Sequence, residues 1–128
     1  AENYTAAEHL RRVRDVANMA ATVDAAFGPF DAIVGPTIPI TPPKMADIDT
    51  PETHLVANTL FVQNTVTVSL LNQCAATIPV GLDDAGMPVG MQIVCRDGFE
   101  ETALGVALAF EHVLGTPRDR LGPSPMGI

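Results

Sequence analysis

Apolar residues return at helical spacing from Leu10 through Val13, Val16 or Ala17, Ala20 and Val23 to Phe27, where Gly28-Pro29 stops them. Thr5, with Glu8 three positions on, has the form of a capping box, so the pattern predicts an amphipathic helix entered at Thr5. Asp31-Ala32-Ile33-Val34 is a short apolar run with β-branched residues, which predicts a strand covered on both faces and ended by Gly35-Pro36. Prolines 36, 39, 42, 43 and 51 then deny the chain regular hydrogen bonding. They predict an extended loop to about Thr53, longer than most domains carry without a use for it.

Thr50-Pro51-Glu52 reads as a helix start, with Thr50 as cap and proline in the first turn. The continuation to Leu71 is open. Thr65-Val66-Thr67-Val68 alternates and is β-branched, which argues strand, whereas the spacing of Leu60, Phe61, Asn64, Val68 and Leu71 permits a buried helix. Ala75 to Leu82 and Met87 to Cys95 read as strands joined by the turn Asp83 to Gly86, with Pro79-Val80-Gly81 and Pro88-Val89-Gly90 repeating one spacing on the two arms. A proline inside a sheet marks where a strand begins, kinks or goes unpaired, and the glycines allow close backbone approach.

Asp97 as cap and Glu100 three residues later open a last helix, whose residues Phe99, Ala103, Val106, Phe110, Val113 and Leu114 share one face until Gly115 and Pro117 close it. Leu104 and Leu108 make a second apolar face. A helix apolar over so much of its circumference requires burial from two sides, which predicts a layered α/β arrangement and a partner surface. Arg118 to Ile128 reads as a loose tail.

Composition narrows the function classes. At 128 residues the chain is one domain's worth, 47% hydrophobic and 17% charged, with no repeat or low-complexity run. A formal charge of -8 with seven Lys plus Arg argues against nucleic acid and against anionic membrane surfaces, and Arg11, Arg12 and Arg14 read as a solvated helix face. No segment has the apolar length to cross a bilayer, and the amino end lacks the layout of a secretion signal, so the expected setting is cytoplasmic. Cys74 and Cys95 there read as buried small hydrophobes, with a disulfide or metal pair the lesser reading, and their spacing matches no metal motif. A helix signal follows Ala1 almost at once, which reads as the end of something longer.

These segments, in this order, resemble the carboxy-terminal part of the amidase signature enzymes, serine hydrolases of carbon–nitrogen bonds. Tyr4, Ala7 and Arg11 open the first helix as in that family, and Phe30-Asp31-Ala32-Ile33-Val34-Gly35-Pro36-Thr37 is similar to its "fDvllxPT". Gly86-Met87-Pro88-Val89-Gly90-Met91-Gln92-Ile93-Val94 is similar to its "GlPvGlQiv", and Phe99-Glu100-Glu101 through Ala107, Phe110 and Glu111 to its final helix. The resemblance implies an α/β fold with a mixed β-sheet flanked by helices, and helix rather than strand before Gln73. Where the family commonly has N-L-x-G-x-P-A, this chain has Ser69-Leu70-Leu71-Asn72-Gln73-Cys74-Ala75, which looks like a branch carrying cysteine in place of the proline.

The same resemblance implies a nucleophilic serine whose proton passes through a second serine, in a cis peptide, to a lysine, with backbone amides of a glycine-serine-rich loop holding the oxyanion. This chain has no such loop, two serines (Ser69 and Ser124) and one lysine, Lys44. No catalytic residue is therefore assigned within it, and neither a metal nor a cofactor is expected. His9, His54 and His112 read as helix residues without a motif partner, and Glu100 and Glu101 as carboxylates favoured by a helix start. Thr65 alone is carried over as a substrate-binding residue of the pocket wall; its competing reading is a helix threonine bonding its own backbone. The expected partners are the N-terminal portion of the same amidase and a small amide substrate. A further copy of the chain, as a homo-oligomer, is the other partner considered. Two alternatives stand beside this: the A-type component of a glutamine-dependent amidotransferase serving aminoacyl-tRNA, and a non-catalytic assembly module derived from an amidase.

Overall fold

The computed structural model describes residues 4–123. In chain order it contains α1 (Ala6–Ala26), β1 (Ile33–Pro36), a short 3-10 turn (Met45–Asp47), α2 (Pro51–Leu70), β2 (Cys74–Leu82), β3 (Pro88–Cys95), α3 (Glu100–Leu114) and α4 (Pro117–Leu121). The three strands form one sheet in the order β1-β3-β2. The expected α/β architecture is present, and both strand pairings within this chain are antiparallel.

Both early helix starts form as their residues predict. The Thr5 amide donates to the Glu8 carboxylate at 2.8 Å while the Glu8 amide donates back to the Thr5 hydroxyl at 3.3 Å. Those Thr5 hydrogen bonds hold the Glu8 carboxyl below its ordinary value. The cap's contribution is accordingly present above the ordinary carboxylate range and lost as the pH falls through the lowered value. Thr50 caps α2 by accepting from the Thr53 amide, with Pro51 in the first turn. The open stretch around Thr65–Val68 is helical, and Gln73 leaves the helix through Asn72 at φ 56°.

The two prolines of the hairpin take the positions that lack of an amide hydrogen leaves them. Pro88 begins β3, and Pro79 opens a bulge: Pro79 faces Gly90 and Gly81 faces Val89, leaving Val80 as the extra residue. Asp83 carries the turn, its carboxylate accepting from the amides of Ala85 and Met87 at 2.9 and 2.7 Å.

Strand alternation sends Met91, Ile93 and Cys95 to the α3 side, where Ile78, Ile93 and Ala107 form the buried cluster with Val106 and Phe110 against it. Ile93, Cys95 and Phe27 are the fully buried large side chains among the described residues. Arg96, the residue after β3, joins this core to α1: its guanidinium donates to the carbonyls of Gly28 and Phe30 at 2.7 and 3.2 Å and lies over the rings of Phe27 and Phe99.

Four expectations need correction. β1 is an edge strand, so Ile33 and Val34 remain about half exposed (53% and 49%) instead of being covered on both faces. Asp97 does not cap α3: Gly98 at φ 76° turns the chain between them, α3 starts after Phe99 without a side-chain cap, and the Asp97 carboxylate accepts from the Asn72 side-chain Nδ2 at 2.8 Å. The second apolar face of α3 is bare, with Leu104 and Leu108 exposed. Part of the expected loose tail is helical, because Thr116 caps α4 and Pro117 occupies its first turn; residues 124–128, Ser124 included, lie outside the described residues.

Ile93→Ala removes the side chain on which both layers close, and should destabilise the chain by about 2–5 kcal/mol. Urea unfolding followed by circular dichroism measures it; a change no larger than that of Leu108→Ala, on the exposed face, contradicts this placement of the core.

Candidate functional site

The strand positions pointing away from α3 form the face that α2 overhangs. On β3 these are Gly90, Gln92 and Val94, and the register sets Gly35 of β1 and Thr77 of β2 on either side of Gln92. Because Gly35 has no side chain, the lane between Gln92 and the free edge of the sheet stays open; a Cβ built there meets nothing within 4 Å. Asn64 anchors α2 over this lane, its side-chain amide donating to the Pro36 carbonyl at 2.8 Å.

The first of two clefts on this face, about 510 Å³, lies between α2 and strands β1 and β3, with Gln63, Asn64 and Thr67 above and Gly35, Gln92 and Val94 below. Gln92 is only 6% exposed, and its carboxamide has no hydrogen-bond partner among the described residues. A carboxamide so placed holds two donors and an acceptor toward the cleft. The second cleft, about 530 Å³, is walled by the proline-rich loop Pro36 to Pro42 and floored by Thr77, Pro79 and Gly90. At its floor the Thr37 amide donates to the Gly90 carbonyl at 2.9 Å, and the Thr37 hydroxyl donates to that of Thr77 at 3.4 Å.

Neither cleft is lined by an ionisable side chain. Their chemistry is neutral hydrogen bonding from Gln92, Asn64, Gln63 and four threonines beside apolar surface. Such a face can orient an amide or carboxyl group; it has no group to attack one or to take its proton.

Thr65, the substrate-binding residue expected from the sequence, stands on α2 and lines neither cleft; its hydroxyl donates to the Val62 carbonyl at 3.2 Å. The Ser69 hydroxyl is likewise engaged within the helix, donating to the Thr65 carbonyl at 3.2 Å. Lys44 precedes the 3-10 turn; its carbonyl accepts from the Asp47 amide at 2.9 Å, and its side chain makes no hydrogen bond or ion pair among the described residues. His9, His54 and His112 fall on three different helices. Sequence reading gave no role to Gln92, Thr37 or Thr77. The available signal was Gln92 as the one polar residue in Met91-Gln92-Ile93-Val94, a polar group in a run that otherwise reads as buried.

The model of the family described as Amidase matches residues 1–104. A 2-amino-5-chloromuconic acid deaminase of Comamonas testosteroni is 38% identical over 122 residues, which make up 95% of this chain and 26% of that protein. A fatty acid amide hydrolase of Medicago truncatula is 33% identical over 122 residues, 94% of this chain and 19% of that one. The solved structure of the A component of glutamyl-tRNA(Gln) amidotransferase from Thermotoga maritima superposes with a TM-score of 0.69 at 23% identity, covering 94% of this chain and 25% of that one. The chain thus spans about a quarter or less of the length of these relatives.

Gly90 tests the floor of the second cleft. A Cβ at this position falls 2.8 Å from the Thr37 hydroxyl and 3.1 Å from a Thr77 methyl. Gly90→Ala should therefore cost about 1–3 kcal/mol, and adding Thr37→Ala should recover part of it. Chemical denaturation of the single and double variants measures the coupling, and strict additivity contradicts the contact.

Proposed function

Because this chain belongs to the amidase family, we propose that it supplies framework strands, packing helices and part of the pocket wall of an enzyme that hydrolyses carbon–nitrogen bonds. The reacting serine, the cis-peptide serine and the lysine belong, on this reading, to an N-terminal portion of the same amidase. One observation carries it: the two clefts are lined by hydrogen-bonding groups and by no titratable one, while apolar surface stands bare on α1, on the sheet edge and on α3. α1 has no buried residue although Leu10 and Val13 lie on it, Ile33 and Val34 expose the free edge of the sheet, and Leu104 and Leu108 face outward from α3. Apolar surface on this scale marks a place of association.

The substrate class on this reading is a small amide. Gln92 pairs with an amide or carboxyl group of the substrate, or with the chain that completes the pocket. Thr65 belongs to the wall: its hydroxyl hydrogen is committed to Val62, and its oxygen keeps lone pairs for a substrate N–H. The Comamonas relative is named for deamination of a small amino dicarboxylic acid, which fits cleavage of a carbon–nitrogen bond in a compact substrate. A cytoplasmic setting is part of the proposal and agrees with two cysteines carried as free thiols; no helix among the described residues is long and apolar enough to cross a membrane.

A second reading is the A component of a glutamyl-tRNA(Gln) amidotransferase, favoured by relatives of that name, one of them, from Syntrophomonas wolfei, 37% identical over 97% of this chain. Glutaminase activity that depends on a partner protein would select it. An independent module would instead sediment as a stable, soluble monomer, whereas aggregation or dimerisation through the sheet edge suits a severed half of an amidase.

The 128-residue chain alone should show no turnover of simple amides, and activity should appear when an N-terminal amidase portion bearing the serines and lysine is co-expressed with it. Ammonia release measures both. Turnover by the chain alone that survives Ser69→Ala rejects the placement of the reacting groups elsewhere.

A further inference from the structure

We propose that Cys74 and Cys95 are a redox pair, a dithiol that a peroxide or a small disulfide converts to a reversible intramolecular disulfide across β2 and β3. This site is independent of the amide chemistry and of the clefts.

The register carries the proposal. Cys74 and Cys95 are direct cross-strand partners. Residues so paired have Cα atoms about 4.5 or 5.5 Å apart, inside the ~4.4–6.8 Å that a disulfide spans. Direct partners also project their side chains to the same face, here the face of Ile93 and α3. A second contact fixes the approach: the Cys74 thiol donates to the Arg96 carbonyl at 3.0 Å, which holds Sγ against the residue next to Cys95.

The pairing depends on the Val80 bulge. From Leu82↔Pro88 and Gly81↔Val89 the ladder would continue, without the extra residue, to set Cys95 opposite Ala75. The bulge shifts the register by one beyond Pro79, and the cysteines come face to face.

The two thiols are unequal. Cys74 is part-exposed and Cys95 is fully buried. Burial, and after it the proximity of Cys74, pushes the Cys95 thiol above its ordinary value. The accessible Cys74 therefore reacts first. Its thiolate attacks the peroxide O–O bond, forming a sulfenic acid and releasing water after proton transfer; Cys95 then attacks that sulfur, the S–O bond breaks, and a second water leaves. Two thiols are oxidised and one peroxide is reduced. With a small disulfide, Cys74 forms the mixed disulfide and Cys95 displaces the small thiol. The bond closes the junction between α2 and β2 onto the end of β3, beside the Asn72–Asp97 hydrogen bond.

The test equilibrates the chain with reduced and oxidised glutathione, in buffer and in denaturing urea, and then alkylates the free thiols. Proteolysis before Asp83 and Asp84 separates the cysteines, so mass spectrometry distinguishes peptides joined to each other from peptides carrying glutathione. Both thiols should disappear together with the loss of two hydrogens, the chain should stay monomeric on a non-reducing gel, and the disulfide should be favoured about tenfold or more in the native chain over the unfolded one. In Cys95→Ala, Cys74 should instead hold a glutathione adduct. Independent adducts on both cysteines of the unaltered chain, or an equilibrium no more favourable native than in urea, would overturn the proposal.

Discussion

The strand β3 sets the terms for everything packed around it. It is the middle strand of three, it is bonded on both edges, and Ile93 and Cys95 within it are wholly buried. Ladder hydrogen bonds on both sides and side chains on both faces make its register a single constraint on the two layers. Its odd-numbered residues fix where α3 lies, and its even-numbered residues define the floor over which α2 is suspended. A slip of one residue would exchange the two sets, putting the Gln92 carboxamide into the Ile78–Ala107 cluster and Ile93 into the cleft.

That constraint also explains how uneven the burial is. Alanines at 103 and 107 let α3 come close to the sheet, whereas α2 has only Ala57 buried and reaches the sheet edge through the Asn64 side chain. One face of the sheet is therefore a packed interior and the other a pair of roofed spaces. The chain belongs to the amidase family, and these two spaces offer neutral hydrogen-bonding groups beside apolar surface and no ionisable side chain.

Much of this was legible in the residues because the signals are local. The capping boxes at Thr5 and Thr50 name their own partners three positions on, and a proline states which backbone donor is missing wherever it stands. The order of segments resembling the amidase signature resolved Thr65–Val68, where β-branching and helical spacing conflict and tertiary context decides. Non-local facts were not legible. Asp97 and Thr116 carry equivalent cap signals, but a glycine in the left-handed region sits between Asp97 and its helix. Which residue faces Cys95 depends on the single unpaired residue Val80, and no count of alternating positions reveals a bulge. Gln92 was visible as a motif letter, yet only the register shows that Gly35 beside it leaves its carboxamide a way out. The pocket-wall role of Thr65 rests on family resemblance, and its observed hydrogen bond is the local one any helix threonine can make.

The Arg96 contact gives the first helix a pivot. One guanidinium grips the carbonyls of Gly28 and Phe30 and is sandwiched toward Phe27 and Phe99, whereas the rest of α1 has no buried residue. The helix is thus a lever arm, pinned at its carboxyl end and with its amino end unsupported by the sheet. Gly28, at φ 49°, turns the chain out of the helix at that pin in a conformation that a residue with a side chain would strain to adopt.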